Sequence, residues 1–423
     1  NIEDLKQNLD LSNINPLKTL IQVFSGFVLE DEIKQIQSIM TEKKNDIRFI
    51  GTTTAGEIFE GKALSSMITI SIVSFESTTV EYASFVNDVD YDLGIDIVQS
   101  MYKDDTKSAI LFLSGMTTNG EDVVDGMGSI NSSVIIAGGM AGDNGNFIAT
   151  FVFTNETINT KGGVVAVLNS EVLNVVNNYQ LNWQPFGKIM TVTKVEKNRV
   201  YELDNISVSD VYRKYLGDGI ADDLPLSASE FPLIKSSDDM QICRAFVHLL
   251  DDGSLLTIGN LYIGDKVQFA IGNIELIINQ TKKNISETFT YKPEVIFNYS
   301  CAGRIAFLQS RVDIELEPFN KIAPTVGFFT YGEIMNHNSK NFLLNDTLTT
   351  LALSEGSLEK IIVEEKEEEK KQNNFFKDKD IIVLNALTHL SNRVIEELED
   401  SKKEIESTHE KIKSSIKFAS LIQ

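Results

Sequence analysis

The sequence predicts a mixed α/β fold in which repeated strand–helix–strand units carry antiparallel additions, form two subdomains and lead into a C-terminal coiled-coil helix. Three observations support this prediction. A strand–helix–strand pattern occurs three times, its apolar runs are continuous, and a seven-residue apolar repeat follows near the C-terminus. With 42% hydrophobic residues among 423, the chain has enough apolar side chains to form sizeable cores.

The internal repeat consists of three segments that share one template. Each segment has an apolar strand, a break of small residues, a helix, a second apolar strand and a glycine-rich turn closed by a carboxylate. Such similarity indicates one supersecondary unit that is used three times. The segments are 20–57, 109–143 and 295–333, and their last residues are Glu57, Asp143 and Glu333.

The apolar runs predict how the strands of each unit are arranged. A continuously apolar run such as 110–113 is typical of a strand covered on both faces. A strand–helix–strand unit of this length makes its two strands parallel through a right-handed crossover. The small-residue breaks then lie at carboxyl ends of strands, where a ligand crevice usually opens. The breaks are Ser25-Gly26, Ser114-Gly115 and Ser300-Cys301.

Alternating apolar runs after each unit predict antiparallel strands, so that the sheets are mixed. We expect these runs to pair in the order in which they occur along the chain. The expected pairs are 67–75 with 79–85, 147–153 with 163–168, and 342–344 with 347–353.

Four segments are predicted along the chain. An N-terminal subdomain covers residues 1–217 and a C-terminal subdomain covers residues 218–355, with the boundary between Gly217 and Pro232. Residues 356–379 form a charged linker with little to bury. Residues 380–423 form a helix without glycine or proline.

This C-terminal helix has a heptad seam that predicts a partner. One seam position includes Leu398, Ile405 and Ile412, whereas the other is half polar, with Ser401 and Thr408. Because one helix cannot bury such a stripe alone, we expect a parallel homodimer through residues 380–423. The alternative is a single amphipathic helix packed on its own domain. A weak seam suits a helix pair that switches between two packings.

The net charge of −23 excludes some classes of partner. An acidic chain lacks the basic face that nucleic-acid phosphates require, and it is unsuited to anionic lipid. No apolar run reaches the length of a membrane helix, and no signal peptide is visible at the N-terminus. Two cysteines do not make a disulfide framework, which favours a reducing cytoplasm.

Polar side chains at the carboxyl ends of the third unit's strands predict a ligand site. Arg304 supplies a planar fork for a carboxylate, Glu333 accepts from an amine, and Thr330 and Tyr331 supply hydroxyls. This set suits an amino acid or a similar small carboxylate. The alternative is an internal salt bridge between Arg304 and Glu333. The remaining candidates are Arg244 and Cys301, with Thr54, Glu57 and Asp143 as secondary ligand candidates for which a structural role is expected.

Signatures of enzymes and metal sites are scarce. The sequence has no G-x-x-x-x-G-K-[ST], H-E-x-x-H, G-x-S-x-G or paired C-x-x-C motif, so we expect no catalytic activity in this chain. We expect no metal or cofactor. His248 and His337 are the alternative as haem ligands, although a lone histidine is more often structural.

Five stretches of the sequence resemble the FIST sensory family, a bacterial signal-input module with N-terminal and C-terminal parts. The resemblance covers residues 19–355. The stretches are GTTTAGEI (51–58), AGGMAGD (137–143), NWQPFGKIMTVTKVEKNRVYELD (182–204), FNYSCAGR (297–304) and GFFTYGEI (327–334).

This resemblance implies cytoplasmic sensing of a small ligand such as an amino acid, and attachment to a C-terminal output domain. The tail 414–423 is similar to linkers that lead into PP2C-type serine phosphatases. Some relatives look like haem proteins that sense nitric oxide through a histidine. Here Leu344-Asn345 stands where family members often carry His-Asn, which weakens the haem alternative.

Overall fold

A computed structural model of the chain describes residues 2–237, 240–289, 291–356 and 379–422. The predicted linker, residues 356–379, falls almost wholly outside these ranges. Two short 3₁₀ turns lie at Leu226–Ser229 and Gln309–Arg311. The α-helices are α1 (Ile2–Asn8), α2 (Glu30–Lys43), α3 (Asp90–Met101), α4 (Gly120–Ile130), α5 (Val208–Leu216), α6 (Asp218–Ala221), α7 (Ile274–Thr288), α8 (Ala302–Leu308), α9 (Val312–Asn320) and α10 (Lys379–Ile422).

The described strands form three mixed sheets and a fourth sheet that is wholly antiparallel. In the first sheet the order is β10 (Ile158–Asn159), β9 (Val152–Thr154), β2 (Ile50–Thr53), β1 (Thr19–Ser25) and β5 (Ile68–Ser74). In the second it is β24 (Lys340–Leu344), β23 (Glu333–His337), β8 (Ile135–Met140), β7 (Thr106–Leu113), β11 (Gly163–Asn169) and β6 (Thr79–Phe85). In the third it is β12 (Asn174–Gln180), β25 (Leu348–Ser354), β21 (Val295–Cys301), β22 (Thr325–Thr330), β3 (Glu57–Phe59) and β4 (Lys62–Leu64).

The fourth sheet lies between the second and third repeats of the chain. Its order is β17 (Met240–Arg244), β16 (Leu233–Ser237), β20 (Lys266–Gly272), β13 (Trp183–Glu196), β14 (Arg199–Leu203), β19 (Leu255–Thr257) and β18 (Phe246–Leu249), with β15 (Ile206–Ser207) beside β14. We call residues 183–272, which form this sheet with α5 and α6, the middle domain.

The three predicted strand–helix–strand units are confirmed. β1 and β2, β7 and β8, and β21 and β22 are parallel neighbours, each pair connected through at least one helix. In the second unit Asn119 caps α4, because its side chain accepts hydrogen bonds from the backbone N–H groups of Glu121 and Asp122. The mixed α/β class predicted from the sequence therefore holds.

In each unit, the hairpin that follows the second strand pairs with a strand of a neighbouring unit. The first unit's β3–β4 hairpin joins β22 of the third, the second unit's β9–β10 joins β2 of the first, and the third unit's β23–β24 joins β8 of the second. This cyclic exchange locks the three units into one body. Phe153 of the β9 hairpin packs so closely on Gly51 that a Cβ there would lie 2.3 Å from its ring.

Aromatic side chains from all three units meet at the centre of this body. Phe24 stacks on Phe328 with ring centroids 5.2 Å apart, and Phe112 lies 5.9 Å from Phe24 and 5.4 Å from Phe328. The Tyr299 hydroxyl donates to Gln22 at 3.0 Å. Because these side chains belong to different sheets, a shared core joins the three units, and burial of the aromatic rings stabilises the assembly.

The predicted pairing of neighbouring antiparallel runs is wrong for all three pairs. β5 pairs with β1 in the first sheet, whereas β6 pairs with β11 in the second. β9 and β11 also lie in different sheets, as do β24 and β25. Alternation identifies a strand, but its partner is chosen by packing between distant segments.

The predicted subdomain boundary between Gly217 and Pro232 does not separate two folded units. β13 precedes it and β20 follows it, yet the two strands are antiparallel neighbours in the fourth sheet. Phe231, inside the boundary stretch, is fully buried in the core of the middle domain. Residues 217–232 therefore connect two parts of one domain, because residues before and after them contribute to the same sheet and the same core.

The C-terminal helix is confirmed, and its first part packs on the middle domain. Ala386 and Leu390 are buried against the core that includes α5. Beyond that contact Leu398, Ile405 and Ile412 are 71%, 69% and 54% exposed. Within the described ranges no helix has the length and apolarity to span a membrane.

Candidate functional site

Arg304 is buried in the third unit, and protein atoms surround its guanidinium. It lies in α8, directly after β21, and is 1% exposed. Nε donates to Glu315 at 3.1 Å and Nη2 pairs with the same carboxylate. Nη1 donates to the carbonyls of Leu181 at 3.1 Å and Asp346 at 2.9 Å. Such a bidentate pair with two further acceptors leaves little donor capacity for a ligand.

The predicted alternative, an Arg304–Glu333 salt bridge, is wrong, because the partner is Glu315 of α9. That helix lies over β21 and carries Glu315 inward beside Leu316 and Val312, both buried. The role of Arg304 in holding a ligand carboxylate stays a prediction. The geometry weighs against it, since a ligand would have to displace Glu315 from a buried pair.

Two further carboxyl groups lie close to this pair. Glu333 begins β23 and accepts from the Thr347 hydroxyl at 2.6 Å and from its backbone N–H at 3.3 Å. Asp346 lies 3.9 Å, through Oδ1, from the Sγ of Cys301. Within the described ranges, Glu333 Oε1, Asp346 Oδ2 and both polar side-chain atoms of Asn345 are buried without a hydrogen-bond partner. Unpaired buried polar atoms are costly, so they mark a site that water or a ligand can complete.

Burial sets the protonation of this cluster. It raises the pKa of Asp346 to about 7, although Arg304 opposes the shift, and it raises the pKa of Glu333 well above its usual value. Burial together with Glu333 also raises the pKa of the Cys301 thiol. Arg304 already pairs with Glu315. The low polarity of the surroundings therefore favours the neutral forms of Asp346 and Glu333.

Thr330 and Tyr331 face a different neighbour. The Thr330 hydroxyl donates to the carbonyl of Met140 at 2.6 Å, in the second unit. The Tyr331 hydroxyl donates to Asp143, and its ring stacks on Phe147 with centroids 4.5 Å apart. The chain passes from the third to the second sheet at this turn, so its hydroxyls and Glu333 point to different places. The predicted six-residue site is therefore not one constellation.

Arg244 is also surrounded by protein acceptors. Nη2 pairs with Glu121 at 2.5 Å, Nε donates to the carbonyl of Asn260 and Nη1 to the carbonyl of Leu343, both at 3.1 Å. It is fully buried. Arg244 thus connects the middle domain to the second sheet, and its proposed contact with a ligand has no support in this geometry.

The secondary candidates have structural contacts. Glu57 accepts from the Thr54 hydroxyl and from the backbone N–H of Met67 at 3.0 Å, and burial raises its pKa to about 7. Asp143 accepts from the backbone N–H groups of Phe147 and Ile148 at 2.8 and 2.6 Å, which closes its loop. Both side chains therefore hold turns by hydrogen bonds to neighbouring backbone groups.

The two histidines that the sequence offered as alternative haem ligands lie in different sheets. His248 is exposed on β18 in the fourth sheet. His337 ends β23 in the second sheet, where its ring lies edge-on to Tyr179 with centroids 6.2 Å apart. In the described part of the chain no three His, Cys, Asp or Glu side chains form a metal-binding group.

Sequence reasoning missed Glu315, Asn345, Asp346 and Thr347. Helical periodicity could have identified Glu315, because it precedes Leu316 and follows Val312 by three positions on the buried side of α9. Asn345 and Asp346 occupy the turn between β24 and β25, where a polar pair normally indicates a solvated loop. No sequence signal marks them as buried.

Comparisons with known proteins place this arrangement among sensory domains. The model of the FIST N domain matches residues 19–206, and the model of the FIST C domain matches residues 209–336. None of the curated proteins matches the chain. The crystal structure of a chorismatase covers 82% of this chain and 96% of that chain at 8% sequence identity, with a TM-score of 0.31, and at that score the likeness carries no argument.

Proposed function

The chain belongs to the FIST family of sensory domains, and from this premise we propose that it is the ligand-sensing input module of a signalling protein. In this proposal a small molecule binds the folded body in the cytoplasm. Its occupancy is passed through a dimeric C-terminal helix to an output domain, for which a PP2C-type serine phosphatase is the candidate.

The attachment of α10 to the body is the observation that supports a relay. Leu390 packs on Gly187 of β13, and the His389 ring lies 3.1 Å, through Nε2, from the carbonyl of Lys214. Glu397 pairs with Lys214 and accepts from the Tyr215 hydroxyl at 2.9 Å. A displacement of α5 or β13 therefore acts directly on the first turns of the helix.

Beyond Glu397 the helix presents apolar side chains without a described cover. Leu398, Ile405 and Ile412 are exposed and recur at intervals of seven residues. A seven-residue repeat presents a continuous seam to a second, supercoiled helix. We therefore place the homodimer contact here, in a second copy of the same chain.

Thermodynamic coupling limits what such a relay can do. A ligand shifts the helix pair only by the difference between its affinities for two arrangements of the body. The weak seam, in which serine and threonine alternate with apolar residues, keeps the two helix packings close in free energy. A modest affinity difference is then sufficient to change the state that the output domain experiences.

Sedimentation equilibrium of the full chain tests the dimer. Wild type is expected to be dimeric, and the double variant Leu398→Ser, Ile405→Ser is expected to be monomeric, since it removes two seam side chains. The matched control is Glu396→Ser, Lys403→Ser, two exposed charged positions on the outer face of the same turns. A wild-type monomer at all accessible concentrations would contradict the relay.

The ligand class expected from the sequence is an amino acid or a similar carboxylate. Calorimetry of the wild-type chain against a panel of amino acids tests it directly. Haem-dependent sensing of nitric oxide is the alternative. A Soret band on reconstitution, lost in His248→Ala or His337→Ala, would support that alternative, whereas the placement of the two rings gives it no support.

A further inference from the structure

A cavity of about 580 Å³ lies where the third sheet meets the middle domain. One wall comes from Asn178 of β12 and from Asn284 and Glu287 of α7. Trp183 of β13 and Gln241 of β17 also line the cavity. Its volume is in the usual range of small-molecule sites. Nothing in the sequence indicated it, because its walls are far apart along the chain.

Carboxamide groups dominate the polar lining of this cavity. Asn178, Asn182, Asn284 and Gln241 all line it. The Nδ2 of Asn182 is buried and has no hydrogen-bond partner within the described ranges. A carboxamide both donates and accepts, which matches a hydroxyl group that does the same. The unpaired amide of Asn182 is a donor that a ligand oxygen would satisfy.

The lining residues that the structure describes include no cation that could pair with an anionic ligand. Of the described residues that line the cavity, Glu287 alone is charged. Its carboxylate lies 3.7 Å from Lys283 of the same helix, outside the lining. An anion would meet no lining cation and would be repelled by Glu287, whereas a neutral molecule meets neither penalty. The Trp183 indole also borders the cavity, but it is 3% exposed and packs on Phe307 with ring centroids 5.0 Å apart.

The cavity lies at a joint between two bodies. β12 belongs to the third sheet and β13 to the fourth, and Asn182, with a left-handed backbone at φ 58°, turns the chain between them. The carbonyl of Leu181 accepts from Arg304, and the Trp183 indole N–H donates to the carbonyl of Asp346 at 3.0 Å. Two lining residues, Leu181 and Trp183, are therefore hydrogen-bonded to the buried polar cluster of the third unit.

The strand β13, which contributes Trp183 to the cavity lining, also contacts the C-terminal helix. β13 runs from Trp183 past Gly187, on which Leu390 of α10 packs. The distance along the chain is four residues. A ligand that draws Gln241 and α7 together would change the position of β13 relative to the third sheet and, through Gly187, would move the first turns of α10.

We propose that this cavity is the sensory ligand site and that its ligand is a neutral, hydroxyl-rich small molecule of the sugar or cyclitol class. The inference rests on the proposed sensory function and replaces the carboxylate expected from the sequence. It assigns Asn182, Asn284 and Gln241 as the hydrogen-bonding residues.

Calorimetry with defined probes tests the inference on the full chain. The neutral probes are methyl α-D-glucoside, maltose and myo-inositol, and the charged probes are the anions L-glutamate and citrate and the zwitterion L-alanine. We expect at least one neutral probe to bind and the charged probes not to bind. Asn284→Ala and Gln241→Ala should each weaken binding tenfold or more. Asn279→Ala, on the exposed face of the same helix, should leave it unchanged.

The outcomes separate this inference from the function it rests on. If an amino acid binds and neither Asn284→Ala nor Gln241→Ala affects it, the cavity assignment is wrong while ligand sensing stands. If citrate binds and these variants abolish it, the ligand class is wrong. If no probe binds, the inference is overturned and the dimer measurement still tests the relay. Amide exchange in 383–397 is measured with and without the bound probe. If a probe binds and this exchange does not change, binding does not reach the helix and the proposed relay is wrong.

Discussion

Arg304 and Glu315 form a buried ion pair that joins the end of β21 to α9, and both side chains are at most 1% exposed. The same guanidinium holds the carbonyl of Leu181, where the third sheet passes into the middle domain. Arg304 therefore joins parts of the fold, whereas the sequence predicted that its guanidinium binds a ligand.

Removal of one partner of this pair should destabilise the fold strongly. Arg304→Met leaves the Glu315 carboxylate buried without its cation, and we expect a loss of about 3–5 kcal/mol in the free energy of unfolding. Urea denaturation followed by circular dichroism measures it.

The double variant Arg304→Met, Glu315→Leu is the control for that prediction. It removes both charges, so its loss should be smaller than the sum of the two single losses. Additive losses would show that the pair does not act as a unit. A ligand-binding Arg304, in contrast, would be removable at little cost in stability.

Asp346 should make stability depend on pH. Its pKa is about 7 in the folded chain and 3.8 as the ordinary value, so between these values the folded state holds a proton that the unfolded state has released. Stability contributed by the neutral acid is therefore complete below about pH 4 and falls as pH rises to about 7.

Asp346→Asn should reduce this dependence, because a carboxamide does not ionise, whereas Glu333 and Glu57 keep their own raised pKa values. At pH 8 we expect the variant to be more stable than wild type by about 1–3 kcal/mol, and at pH 4 we expect no gain. Urea titrations across this range measure both values. The exposed Glu171→Gln should leave the pH profile of wild type unchanged, and an equal gain at both pH values for Asp346→Asn would refute the assignment.

Tyr331→Phe should loosen the loop 143–149. The hydroxyl donates to Asp143 and accepts from the backbone N–H of Gly145 at 3.0 Å, so its removal loses two hydrogen bonds between Tyr331 and this loop at a cost of about 1–3 kcal/mol. Amide exchange in 143–149 should become faster. Tyr291→Phe, at a 40% exposed tyrosine, is the matched control and should change neither quantity.

Leu390→Ala should detach the first turns of α10 from the middle domain. The side chain is 6% exposed against Gly187, and its truncation should cost about 2–3 kcal/mol of local stability. Amide exchange in 386–397 should then rise. Leu398→Ala, at a 71% exposed leucine, should leave exchange in 386–390 unchanged, and a rise of equal size there would contradict the packing described.

Much of the fold follows from local patterns. The run around Ile110 is apolar over the length of a buried strand, and the turns before Glu57, Asp143 and Glu333 mark where each unit closes. Such features involve residues near one another in the chain, which is why the three units and the C-terminal helix were predicted correctly.

The candidate site was less accessible to prediction. The sequence placed Arg304 at the end of a strand, and the structure confirms that place. Its partner, Glu315, and its neighbour Asp346 are brought to it by α9 and by the β24–β25 turn. The spacing of Arg304 and Glu333 along the chain does not show whether the two side chains share a ligand or contact different groups of the protein.

By itself the sequence determined the repeated units, the α/β class and the long helix with its seven-residue apolar repeat, because backbone periodicity and turn chemistry are local. Only the tertiary structure decided which unit receives each hairpin, which acid pairs with Arg304 and where Asn182 and Gln241 enclose a cavity. Those outcomes depend on how three similar sheets pack around one core, and packing selects among partners that local patterns leave equivalent.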